Sequence, residues 1–183
     1  GGLPGPAHYI DIPPGAVLRR HLAGLAPYTD EIWGLQVTGD EVRAWLENAA
    51  CIYHHLSQDK PDQNLINPEI PPFNFDTIYG LTYLIDPTRP PGDRISRLAH
   101  NGVPVQGTQE FVLATNQFRA AGGGNFVRAQ HPKVVARSTE RFEDALARSV
   151  QQSTDNAWTN TKPWAFSVPA PVEAVFETAP NTL

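Results

Sequence analysis

EIWGLQVTGDEVRAWLENAACIY, residues 31–53, carries two hydrophobic periods in succession. Trp33, Leu35 and Val37 alternate, the period-two pattern of a half-buried strand. TGDE follows at 38–41, with Thr38 and Glu41 at the spacing of a capping box. Behind it Val42, Trp45, Leu46, Ala49, Ala50 and Tyr53 recur every three or four residues, which predicts a helix from Asp40 to His54. A strand thus hands over to an amphipathic helix within two or three residues.

The flanking sequence extends the same mixture. AVLRRHLAGL (16–25) predicts a short helix, and the polar, proline-rich 57–72 a long loop. DTIYGLTYLID (76–86), rich in β-branched and aromatic residues, predicts a long strand that Pro87, Pro90 and Pro91 terminate. RISRLA (94–99), a turn at Asn101-Gly102 and EFVLAT (110–115) read as further, antiparallel strands. A second helix is expected over 139–152, where Phe142, Ala145, Leu146, Ser149 and Val150 form the stripe. Its acidic residues come early and Arg148 late, as the helix dipole favours. VEAVFET (172–178) alternates as a closing strand. Strand-rich segments with two well-formed helices indicate an α+β domain.

Composition narrows the functional classes. At 183 residues and 20.1 kDa the chain suits one domain with its own core. A net charge of −5 argues against a surface that coats nucleic acid, though not against a pocket for one nucleotide. Cys51 is the single cysteine and has no internal disulfide partner. No run of eighteen apolar residues offers a membrane span. The chain contains no methionine and opens GGLPGPAHY, so it reads as part of something longer.

Two aromatic stretches stand out as candidate chemistry. In TNQFRAAGGGNF (115–126), Phe118 and Arg119 precede three glycines. No Gly-Lys-Ser/Thr follows, so this is not a P-loop, and the third spaced glycine of a dinucleotide fingerprint is missing. Two readings remain: a tight turn after a strand, or a platform that exposes a ring face to a flat ligand. In PPFNFDTIYG (71–80), Phe73 and Phe75 lie at the mouth of a strand, where one can be core and the other rim. Asp76 either caps that loop or touches a ligand. The six histidines are scattered without metal-ligand spacing, and Cys51 reads as structural. Arg19-Arg20 and the arginines from Arg128 to Arg137 read as solvated charges. No complete catalytic set is present.

Four segments in order give these stretches a context: HYIDIPPG (8–15), PYTDEIWGLQVTGDEVRAWLENAA (27–50), LINPEIPPFNFDTIYGLTYLID (65–86) and FVLATNQFRAAGGGNF (111–126). Together they resemble the C-terminal domain of the 5′-nucleotidase family, most closely its bacterial periplasmic 2′,3′-cyclic-nucleotide 2′-phosphodiesterase/3′-nucleotidase branch. The resemblance implies a layered α/β/β/α-like domain spanning 1–183 that recognises the nucleoside of a nucleotide substrate. It also implies a preceding metallophosphoesterase domain, holding two divalent metal ions and the phosphate-cleaving residues. This chain would then carry no catalytic residue, no metal and no cofactor of its own. It would be inactive alone, with no polymeric nucleic acid or membrane as partner, in a periplasmic, cell-surface or secreted protein.

By position in the motifs, the rings that hold the base would be Phe73 and Phe118. Asn116, Arg119, Gly122 and Gly123, with Asp76, would support the pocket. The chain departs from the family at two points. Gly124 stands where some members have an acidic residue that reaches the ribose. Leu3 stands where an arginine is expected if Gly1-Gly2 are the family's glycine pair. The alternatives are a stand-alone nucleotide- or sugar-binding module, and an interaction domain in which both rings are buried.

Overall fold

The boundary between the predicted strand and helix, Thr38 to Gly39, is also the boundary between two units of structure. In the computed structural model the described residues are 12–126, 133–152, 162–168 and 171–176. Among these, one unit comprises residues 12–38, 110–126 and 133–152, the other 39–109, 162–168 and 171–176. They are called here the Phe118 unit and the Phe73 unit.

In the Phe118 unit, strand β1 (Glu31–Thr38) is the centre of a three-stranded antiparallel sheet. Its flanks are β6 (Glu110–Asn116) and β7 (Lys133–Arg141). The register with β6 is unbroken, with Trp33 opposite Thr115 and Leu35 opposite Leu113. The predicted alternation holds where it matters, since Leu35 and Val37 are buried. Helix α1 (Arg19–Leu25) begins three residues later than expected, and the buried His21 accepts the Leu18 N–H through Nδ1. The second predicted helix is α4 (Phe142–Gln152). Residues 139–141, expected in that helix, instead complete β7, and the Phe142 N–H donates to the Asp30 carbonyl. Strand β7 was not expected. Its Arg137, read as a solvated charge, lies with its guanidinium 4.2 Å from the centre of the Trp33 ring.

In the Phe73 unit, helix α2 (Gly39–Ala50) lies against a four-stranded sheet ordered β5-β4-β3-β8. These strands are β3 (Leu81–Ile85), β4 (Ile95–His100), β5 (Val103–Pro104) and β8 (Trp164–Phe166). The helical stripe is buried as predicted: Val42, Trp45, Leu46, Ala49 and Ala50. Helix α2 stops four residues short of His54 because Arg94 intercepts its end. The buried Arg94 guanidinium donates to the carbonyls of Ala50 and Tyr53, each at 2.8 Å. Glu47 accepts the backbone N–H groups of Arg94 and Ile95 at 3.0 and 2.6 Å. Cys51 donates its thiol to the Glu47 carbonyl.

The strand expected over 76–86 is only Leu81–Ile85, since Gly80 turns the chain at φ +89°. Asn101 and Gly102, with φ of 51° and 78°, form the predicted hairpin. That hairpin pairs β4 with the two-residue β5; residues 110–115 lie in β6 and pair with β1. The closing strand is reduced to β9 (Ala174–Val175), parallel to β2 (Gln63–Asn64); Glu177 and Thr178 lie outside the described residues. Strand β8 was also not expected, and its Trp164 and Phe166 join Tyr53 and Phe75 in an edge-to-face aromatic cluster.

Candidate functional site

The TNQFRAAGGGNF stretch forms a short, cross-braced structure at the end of β6. Asn116 caps α3 (Gln117–Ala120), its Oδ1 accepting the Arg119 N–H at 2.9 Å. Its Nδ2 donates to Asp30 Oδ2 at 3.1 Å. The backbone N–H of Phe118 also donates to the Asp30 carboxylate. Burial raises the Asp30 pKa from its ordinary value, and the Phe118 hydrogen bond opposes that shift.

Arg119 does not extend to solvent. It is buried, with its guanidinium 4.3 Å from the Phe126 ring centre and 5.5 Å from that of Phe118. Its Nη1 donates to the Gly123 carbonyl at 3.0 Å, which ties the helical turn to the glycine run. Gly122 and Gly124 both take left-handed φ, 96° and 73°. Gly123 serves a different need. A Cβ there would lie 2.5 Å from two atoms of the Phe118 ring, so the ring rests directly on this backbone. Phe118 is nevertheless 47% exposed. The glycines therefore support the ring on one side while it stays accessible to solvent.

The PPFNFD stretch separates its two rings. A single 3₁₀ turn at Pro72–Asn74 leaves Phe73 49% exposed, whereas Phe75 is 4% exposed within the aromatic cluster. Phe73 is therefore rim and Phe75 core, the choice left open by the spacing. Asp76, grouped above with the pocket residues, is buried and accepts the Trp45 indole N–H at 3.0 Å. Of the predicted residues, Asn116, Phe118, Arg119, Gly122 and Gly123 come together in the Phe118 unit, while Phe73 and Asp76 belong to the other unit.

Asp30 belongs to this group and was missed by sequence reasoning. Its sequence signal is weak, the first acid of the Asp30-Glu31 pair at the start of β1, and only the β6–β1 pairing brings it beside Asn116. A shallow groove on the Phe73 unit, lined by Thr82, Leu84, Arg97, Lys162 and Ala165, contains none of the predicted residues. Among the described residues, no group of three or more His, Cys, Asp or Glu side chains is placed to hold a metal ion.

A half-exposed phenylalanine on a braced glycine support, in a chain of mixed helices and antiparallel strands, defines an α+β domain with a solvent-exposed aromatic. The family follows from comparison: residues 3–131 match the model of the 5′-nucleotidase C-terminal domain, and the chain belongs to that family. It is 32% identical over 177 residues to the trifunctional nucleotide phosphoesterase protein YfkN of Bacillus subtilis, covering 86% of this chain and 12% of that protein. It is 30% identical to the 2′,3′-cyclic-nucleotide 2′-phosphodiesterase/3′-nucleotidase of Salmonella typhimurium, covering 84% of this chain and 27% of the relative. The chain thus spans about a quarter or less of the length of these two curated relatives. Among solved structures, a 5′-nucleotidase-type protein of Staphylococcus aureus aligns with a TM-score of 0.67 at 22% identity, over 81% of this chain and 29% of that one, which supports the fold.

Proposed function

We propose that this chain is the nucleoside-recognition domain of a phosphoric ester hydrolase that acts on nucleotides, with 2′,3′-cyclic and 3′-nucleotides as its substrate class. The observation that carries the reading is Phe118: an aromatic ring held half-exposed on Gly123 and braced by Arg119, in a chain of this family. A purine or pyrimidine stacks on such a ring with about 1–3 kcal/mol per base and little preference among bases. That suits an enzyme accepting several nucleotides. The family resemblance gives Phe73 the second stacking role, and its half-exposed position in the 3₁₀ turn is compatible with it.

Arg119 supports the reading as a brace. Its guanidinium is engaged with Gly123 and two aromatic rings, so its contribution is to hold Phe118 in place. Asp76, hydrogen-bonded to Trp45 inside the Phe73 unit, contributes to the folding of the Phe73 loop. Hydrolysis is assigned to a preceding metallophosphoesterase domain. In this reading no step of the reaction is routed through this chain. Binding energy from the base would orient the phosphate remotely, lowering the barrier without contact at the reacting atoms. A location outside the cytoplasm accompanies this proposal.

The experiment is steady-state kinetics of the longer protein on nucleoside 2′,3′-cyclic phosphates. Phe118→Ala and Phe73→Ala are each expected to lower kcat/KM by about 5- to 150-fold, the equivalent of one lost stacking face. Hydrolysis of a phosphoester without a base is expected to be unchanged. Unaltered kcat/KM on nucleotides in both variants would refute the assignment.

A further inference from the structure

The Phe118 unit holds one carboxylate whose placement the general fold does not account for. Asp30 precedes β1, and its main-chain carbonyl already serves the fold by accepting the Phe142 N–H at 2.8 Å. Its side chain does something separate. One carboxylate oxygen accepts from Asn116 Nδ2 at 3.1 Å, and the carboxylate also accepts the backbone N–H of Phe118. Asn116 in turn caps the turn that contains Phe118 by accepting the Arg119 N–H. Two consecutive backbone donors, those of Phe118 and Arg119, are therefore fixed by Asp30 and Asn116, and these side chains are fixed to each other.

A four-residue helix has no stability of its own, since nucleation costs more than one turn of hydrogen bonds returns. Without outside acceptors for its first N–H groups, the Gln117–Ala120 turn would fray. The ring of Phe118 would then leave the narrow position that places it against Gly123. We infer that Asp30 is a positioning residue for the recognition ring: through Asn116 and the Phe118 amide it sets the backbone from which the ring projects. This rests on the stacking role proposed above for Phe118, but its structural half can be tested without any nucleoside.

The experiment uses the 183-residue chain with Asp30→Ala, Asp30→Asn, Asn116→Asp and the double variant Asp30→Asn/Asn116→Asp. The double variant exchanges donor and acceptor, so an amide at 30 donates to a carboxylate at 116, while position 116 still accepts the Arg119 N–H and the amide oxygen at 30 is left for Phe118. The first readout is hydrogen exchange at the Phe118 amide. It is expected to accelerate at least about tenfold in Asp30→Ala, with β1 amides unchanged, and to return towards wild type in the double variant. The second is adenosine affinity, expected to fall about tenfold or more in Asp30→Ala and in Asn116→Asp and to recover in the double variant. Unchanged exchange at Phe118 in Asp30→Ala would overturn the inference. Equal loss of adenosine affinity in the single and double variants would overturn it as well, since mere disturbance of the loop would not be rescued. If the wild-type chain bound no adenosine, the stacking role of Phe118 would fail, and the exchange result would still decide whether Asp30 holds the turn.

Discussion

Gly123 shows how much of the site depends on an atom that is not there. Its missing Cβ is the space the Phe118 ring occupies, and its backbone does not need left-handed φ, so a methyl group there conflicts with the ring alone and requires the ring to shift. Gly123→Ala is therefore expected to displace Phe118 while costing about 1–3 kcal/mol of stability, the range for overpacking. Adenosine titration should show a loss similar to Phe118→Ala. An unchanged affinity would show that the ring position is immaterial. Asp30 carries a second prediction, in pH. Burial raises its pKa above the ordinary 3.8, so between 3.8 and the folded value the folded chain holds more protons than the unfolded one. Stability should therefore fall as pH rises through that window. Asp30→Asn removes this component, so urea unfolding across a pH series should show the variant gaining on wild type through the window and levelling above it. A variant that loses ground to wild type as pH rises through the window would contradict the shift. At this scale the sequence shows which residues are unusual but not how they face. PPFNFD offers two identical rings, and only the 3₁₀ turn separates rim from core.

The secondary-structure elements were readable where hydrophobic period and burial coincide. α2 and β1 have one buried face each, so the apolar residues mark them. β7 lacked that mark: Lys133, Arg137 and Arg141 are spread along a strand whose side chains are mostly exposed or half-exposed. β8 is too short, at three residues, to display a period. The C-terminal end of α2 was misplaced for another reason. Tyr53 continues the helical stripe, but a buried arginine forty-four residues away from Ala50 ends the helix, and no local pattern reports it. That long-range cap gives a prediction for the element. Arg94→Leu leaves the carbonyls of Ala50, Tyr53 and Arg89 without this donor, at about 1–3 kcal/mol for each buried acceptor left unmade. A total loss near 3 kcal/mol is expected in urea unfolding, with the slope unchanged. A loss below about 1 kcal/mol would mean that water or neighbouring donors replace the guanidinium.

For the whole molecule, the ordered resemblance of four segments identified the family and the α+β class, and the family model, which matches residues 3–131, confirms the membership. The division into two units was not visible. The chain leaves one unit at Thr38 and re-enters it at Glu110, so neither composition nor a linker marks the boundary. The two candidate rings fall in different units, each supported by its own local structure: a braced glycine cradle for Phe118 and a 3₁₀ turn above an aromatic cluster for Phe73. Recognition of the base by stacking on Phe118 is the proposal on which the rest depends. The most direct test is calorimetric titration of the isolated 183-residue chain with adenosine, in parallel with Phe118→Ala and with inorganic phosphate as the control ligand. Saturable binding of adenosine that weakens by about 5- to 150-fold in Phe118→Ala, with no comparable response to phosphate, is the predicted result. Equal adenosine affinity in the wild-type and Phe118→Ala chains would contradict the claim.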